Sequence, residues 1–138
     1  MDAYIALDLE TTGLSPKSDR ILEIGAVRVV NGIVEERCST LIDPRMEIPE
    51  KVTELTGITQ DMVAGMPEIK DVVAGLVAFC GDLPLLGHNI MFDYRFVKHS
   101  AVNSGLTFEA EGMDTLKISR ALLADLPSRS LQLSLIHI

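Results

Sequence analysis

The chain has 138 residues, 47% of them hydrophobic, two cysteines and a formal net charge of −8. One domain with its own core is expected at this size, and the hydrophobic content excludes a disordered chain. The acidic balance, with a pI of about 4.7, argues against a broad basic surface that coats nucleic acid, but not against an enzyme that meets a phosphodiester through metal ions.

Residues 4–10 read as a strand, and a central one. Residues 21–30 read as a second strand, followed by Asn31-Gly32, the strongest short hairpin signal, and a return strand over 33–42. The chain thus opens with an antiparallel meander. Pro49 to Gly57 reads as a short helix with Pro near its start and Gly at its end. Thr59 to Ala64 forms a further turn, stopped by Gly65. Pro67 opens a longer helix through Phe79, with Ile69, Val72, Val73, Leu76, Val77 and Cys80 at helical spacing. Leu83-Pro84-Leu85-Leu86-Gly87 reads as a buried parallel strand. Asn89 is placed to cap a helix over Ile90–Asn103. Phe108 to Gly112 is a weak strand candidate. Asp114 caps a helix over Thr115–Ala124, and Ser130 caps a last helix that barely begins. Three meander strands, then strands alternating with helices, predict an α/β sheet of mixed direction.

No run approaches the ~20 apolar residues of a membrane span, and Met1-Asp2-Ala3 lacks the basic start of a signal peptide. A reduced, cytoplasmic protein is expected, with Cys38 and Cys80 as ordinary small residues.

Asp8 and Glu10 stand two apart on the first strand, so their side chains share one face. Ile5, Leu7 and Leu9 take the other and enter the core. Two carboxylates held side by side resist ionising together unless a cation lies between them. Thr11-Thr12-Gly13 ends the strand, and Gly13 lets the backbone turn with its N–H groups open to a ligand. The pair by itself reads equally as a solvated strand end. A second constellation is Gly87-His88-Asn89-Ile90-Met91-Phe92-Asp93. Asp93 falls in the first helical turn, where the helix dipole favours its ionised form. If the strand before it neighbours the first strand, Asp93 faces the same crevice as Asp8 and Glu10, beyond the carboxyl ends of the strands. Three carboxylates around one point suit Mg²⁺ or Mn²⁺. Alone, Asp93 reads more simply as a stabiliser of the helix start. His99 reads as structural or solvated. Glu23, on an apolar strand, is either near the site or in water.

Four blocks now stand in order: Asp8-Leu9-Glu10-Thr11-Thr12-Gly13, Ile21-Leu22-Glu23-Ile24-Gly25-Ala26, Leu55-Thr56-Gly57-Ile58-Thr59, and Gly87-His88-Asn89 with Phe92-Asp93. Together they resemble the DnaQ-like 3′–5′ exonucleases of DEDDh type, above all the proofreading exonucleases of bacterial replicative polymerases. The resemblance runs over most of the chain, with residues 1–132 as the exonuclease domain. It implies a ribonuclease H-like fold, the last helix incomplete. It implies two divalent ions, Mg²⁺ or Mn²⁺, held by Asp8, Glu10 and Asp93. It places Thr11, Thr12, His88 and Phe92 around the terminal nucleotide. The implied reaction removes 5′-mononucleotides from the 3′ end of single-stranded DNA, with RNA an open possibility. The implied partner is a DNA polymerase, as a separate subunit or a fused domain, and no membrane is involved.

The sequence departs from that pattern near its end. The family needs a His general base and, five residues later, a fourth carboxylate, both beyond the Ser130-Leu131-Gln132 block. Only His137 follows, too soon after the block, and no acidic residue follows Asp125. Leu133-Ser134-Leu135-Ile136-His137-Ile138 is what the transposase-end adapter CTGTCTCTTATACACATC encodes in frame. Residues 133–138 are therefore expected to be a non-native tail, and the chain as given to be nearly inactive. Two other readings stay open: a non-catalytic nuclease-fold module that binds a polymerase or helicase, and, ranked last, a phosphoryl-transfer hydrolase with Asp8 as nucleophile.

Overall fold

The computed structural model describes residues 2–115. The expected Ser130 cap, all but the first residue of the expected helix 115–124, and the tail 133–138 lie outside these residues. Within them the strands are β1 (Ala3–Thr11), β2 (Ile21–Val30), β3 (Ile33–Leu41), β4 (Leu85–Gly87) and β5 (Gly112–Asp114). The helices are α1 (Glu50–Thr56), α2 (Gln60–Val63), α3 (Ile69–Cys80) and α4 (Ile90–Asn103). The sheet runs β3-β2-β1-β4-β5. β1 is central, antiparallel to β2 and parallel to β4, and β4 is parallel to β5. This is the expected mixed α/β sheet.

The period-2 pattern of β1 and β2 divides the sheet into two faces. Ile5, Leu7, Leu9, Ile24 and Ala26 pack against Val73, Leu76 and Cys80 of α3 and Phe96, Val97 and Ala101 of α4. Tyr4, Ala6, Val27, Val29 and Leu86 form a second cluster. On β1, Asp8 and Glu10 continue the second set, because their parity matches Tyr4 and Ala6. The β2–β3 hairpin turns on Asn31 and Gly32, both at positive φ (51° and 78°), as the primed two-residue turn requires.

Arg28 ties this hairpin to the helical layer. Its guanidinium lies 2.7 Å from Glu36 Oε2, donates to the carbonyl of Phe79 at 2.6 Å, and stacks 4.6 Å above the Phe79 ring. That carbonyl belongs to the last turn of α3, where a cation is favoured.

Three expectations shift. The fifth strand forms at Gly112–Asp114, not at Phe108–Gly112. Phe108 is instead a core residue, 2% exposed, its ring 5.6 Å from that of Tyr94. The apolar residue marked where the core closes, whereas the ladder lies where Leu85, Leu86 and Gly87 can reach Gly112, Met113 and Asp114. β4 is also shorter than expected, since its ladder to β1 holds only Ile5↔Leu85 and Ala6↔Leu86. Finally, Asn89 occupies the N-cap position of α4 with φ 54° and makes no side-chain cap bond. Its use there is conformational, as Asn tolerates the left-handed region better than most residues.

Gly87 is where β4 passes closest to β1. A Cβ at this position would lie 2.6 Å from the Leu7 carbonyl oxygen and 3.0 Å from Ile90 Cδ1. The first contact is with backbone of the central strand, which cannot rotate aside. Gly87→Ala is expected to destabilise the fold by ~1–3 kcal/mol, the usual cost of overpacking, measured by urea denaturation. A change below ~0.5 kcal/mol would contradict the close approach.

Candidate active site

The geometry of the acidic end follows from the parallel ladder. β1 and β4 run side by side, so their carboxyl ends point the same way, and α4 starts directly after β4. Asp8 and Glu10 extend β1 just beyond the paired residues, and Asp93 enters from the first turn of α4. Asp93 is 4% exposed, and its Oδ2 is buried with no hydrogen-bond partner among the described residues. Burial, then the charges of Asp8 and Glu10, push its carboxyl up to about 8 from the ordinary 3.8. The helix dipole acts the other way, but at ~0.3–1 kcal/mol it is smaller than the several kcal/mol of burying a charge. Without a cation nearby, burial thus outweighs the pull of the helix start on the Asp93 carboxyl.

Glu10 is half-buried, and its carboxyl is likewise raised, first by burial and then by Asp8 and Glu23. Glu23 stands directly across from it in the β1–β2 ladder, where like charges repel. Of the two readings left open for Glu23, the one beside the acidic pair holds. Opposite Asp8 the partner is Gly25, which adds no side chain. The ladder then shifts register between Glu10 and Thr11, a local irregularity that re-aims the residues after it. Among the described residues, no three His, Cys, Asp or Glu side chains form a ready group of metal ligands.

The residues expected around a terminal nucleotide are spread over this same end. Thr11 Oγ1 donates to the Gly13 carbonyl at 2.7 Å. Thr12, only 3% exposed, is locked inward. Its hydroxyl donates to Asp19 Oδ1 at 3.2 Å and accepts from the Arg20 N–H at 2.9 Å, and its own N–H donates to the Arg20 carbonyl at 2.8 Å. His88 is exposed on the turn before α4. Phe92 is half-buried, its ring 5.0 Å from that of Phe96.

Two residues escaped the sequence reading. Asp19 fastens the β1–β2 loop, taking the Thr12 hydroxyl and the Ser15 N–H at 3.0 Å. A Cβ on Gly13 would come within 2.4 Å of that carboxylate, so Gly13 is needed for the room it leaves. The signal was a short loop with a hydroxyl at one end and a carboxylate at the other. Leu14 is 84% exposed on the same loop, one residue beyond Gly13. An apolar side chain held out in water beside an acidic site is available to a ligand, and only its place after the Thr-Thr-Gly run could have flagged it.

Comparison with known proteins supplies the family. A family model described as RNase_T, exonuclease, matches residues 5–135. The PolC-type DNA polymerase III of Clostridium perfringens is 42% identical over 137 residues, 99% of this chain and 10% of the polymerase. The DNA polymerase III subunit epsilon of Aquifex aeolicus is 35% identical over 130 residues, 94% of this chain and 64% of the subunit. The chain thus spans about a tenth of the length of the PolC-type relatives it matches. The structure of exonuclease X in complex with 5′ overhanging duplex DNA superposes with a TM-score of 0.68 at 30% identity, covering 90% of this chain and 66% of that one. Exonuclease I (apo) agrees in fold, with a TM-score of 0.77 at 20% identity over 93% of this chain and 32% of its own. The fold is that of the ribonuclease H-like exonucleases, and the chain belongs to the RNase_T exonuclease family.

Proposed function

We propose that this chain is the metal-dependent 3′–5′ exonuclease domain of a bacterial replicative DNA polymerase, acting in proofreading on a single-stranded 3′ end. The observation that supports this most is the Asp93 carboxyl, with one oxygen buried and without a partner among the described residues and with the charges of Asp8 and Glu10 acting on it. Carboxylates that crowd and resist ionising fit a hard divalent cation, because its charge reverses the local penalty. Asp8, Glu10 and Asp93 would hold the ions. When bound, Mg²⁺ or Mn²⁺ supplies Lewis-acid activation of a water and neutralises the leaving 3′ oxygen.

The chain's own residues do the rest. Phe92 offers a ring face to the terminal base, and base–aromatic stacking tolerates any sequence. The exposed Leu14 offers an apolar edge on the other side of the acidic pair. His88 stands on the turn between β4 and α4, in reach of a phosphate that enters there. Thr11 and Thr12 keep the end of β1 in place. The net charge of −8 argues against a broad basic surface, so the strand is held by its last nucleotides. No acidic residue follows Asp125 and the only later His is His137, so these 138 residues lack both the general base and the fourth carboxylate that the family pattern calls for.

The absence of a ready ligand group among the described residues favours a second reading, a nuclease-fold module that binds a polymerase without cutting. Metal binding separates the two. Titration with Mn²⁺, followed by paramagnetic broadening of amide signals, is expected to affect residues around 8, 10 and 93 first, and to do so far less in Asp8→Ala. Broadening without that preference would leave the binding module as the better reading. With Mg²⁺ and a 3′-labelled single strand, the 138-residue chain is expected to release mononucleotides at a rate ~10²–10⁴-fold below an intact enzyme, the usual contribution of a general base. The residual rate should vanish in Asp8→Ala. Fast turnover would refute the claim that a catalytic group is missing.

A third expectation concerns pH. Asp93 binds its proton more tightly in the folded chain, up to about 8, than in the unfolded chain, near 3.8. Between these values the folded state holds the extra proton, so stability falls as pH rises. In EDTA the Tm should decline from pH 5 to pH 8. Asp93→Asn should flatten that decline, leaving only the smaller share of Glu10, whose shift has the same direction. Mn²⁺ should raise the Tm more at pH 8 than at pH 6. An unchanged slope in Asp93→Asn would show that the buried carboxyl is not its source.

A further inference from the structure

Away from the acidic end, a cavity of about 280 Å³ opens between the β1–β2 loop, the start of α3 and the outer half of α4. Its size is at the small end of the ~300–1,000 Å³ range of ligand clefts. Its charge is opposite to that of the molecule. Lys17, Arg20 and Lys70 line it, three of the twelve lysines and arginines in a chain of net charge −8, and His99 lies beside them.

These cations are not used up by the fold. Lys17 and Arg20 have no carboxylate within 4 Å among the described residues, and Lys70 reaches Glu68 only at 4.0 Å. Such a distant, exposed pair is worth little. Asp19 is the one acidic residue of the lining, and both its oxygens already accept bonds, from the Thr12 hydroxyl and the Ser15 N–H. His99 Nε2 faces the Asn103 amide nitrogen at 3.1 Å, which makes that nitrogen the acceptor and leaves Nδ1 as the donor. Ser100 adds a hydroxyl, and Ile21 and Phe96 add apolar lining.

Three fixed positive charges, one of them only loosely paired, gathered on a partly open and partly apolar wall, match a group with many acceptor oxygens joined to a flat organic body. A planar Arg fork with nearby Lys point charges is the usual way to hold phosphate. We propose that this cavity binds a nucleotide through its phosphate, at a site separate from the acidic end. The inference stands on the cavity and its charges and does not need the catalytic reading, so either can fail without the other. The nucleotide arrives either free, as a 5′-monophosphate, or as one unit of a strand.

The test uses the 138-residue chain in EDTA at low salt, so that no metal at the acidic end contributes. Binding of 5′-dAMP, of deoxyadenosine and of a short oligothymidylate is followed by amide chemical shifts. Saturable shifts around residues 17–20, 70 and 99 are expected with 5′-dAMP and not with deoxyadenosine. The double substitution Arg20→Gln with Lys70→Gln should weaken binding at least tenfold, Arg20→Lys should weaken it less than Arg20→Gln because the charge is kept and the fork is lost, and Asp8→Ala should leave it unchanged. Both substituted side chains are exposed, and an unaltered Tm confirms that the fold is intact. Binding of the oligonucleotide alone, with the same sensitivity to substitution, also supports the site and assigns the phosphate to a strand. Equal binding of deoxyadenosine, no saturable binding of either phosphate probe, or loss on Asp8→Ala but not on the double substitution would overturn it.

Discussion

The parallel contact of Ile5 and Ala6 with Leu85 and Leu86 determines where everything at the acidic end lies. Two paired residues are a short ladder, yet they align the ends of β1 and β4 and aim the first turn of α4 at the end of β1. The approach is tight because Gly87 has no side chain between Leu7 and Ile90. Had β4 run the other way, Asp93 would emerge at the opposite end of the strands, far from Asp8 and Glu10. Direction, more than proximity in sequence, assembles the site.

That assembly works against the fold. Asp93 is buried among like charges with an unmatched oxygen, and Glu10 faces Glu23 across the ladder. Such groups cost stability, and a chain optimised for stability alone would place apolar or neutral residues there. The core on the other face of β1, where Leu7 and Leu9 pack on α3 and α4, offsets the penalty. The two faces of one strand therefore serve opposite ends: one holds the sheet to the helices, and the other carries Asp8 and Glu10, whose charges act on Asp93.

Much of this was legible in the residues. The alternation of β1 and β2, the Asn31-Gly32 turn and the helical spacing from Ile69 to Cys80 each carry a local signal, and each formed as expected. Three features were not legible. The fifth strand moved because Phe108 advertises burial, and burial alone does not distinguish a core contact from a ladder. The raised proton affinity of Asp93 was hidden because depth is a property of the whole packed layer, while a helix start is visible locally. The bonds of Thr12 depend on Asp19 seven residues away, which no local run of residues announces.

The Thr12 clamp has a consequence for how this chain can vary. Three bonds close the β1–β2 loop at its base, from the Thr12 N–H and hydroxyl to Arg20 and Asp19. Ser15 is tied back to Asp19 by two further bonds, while the side chains of Leu14 and Lys17 stay exposed, so changes of side chain at those two positions are insulated from the acidic pair. A lineage can therefore experiment with what the tip touches, including Leu14 on one side and Lys17 on the other, while the spacing of Asp8 and Glu10 is inherited intact.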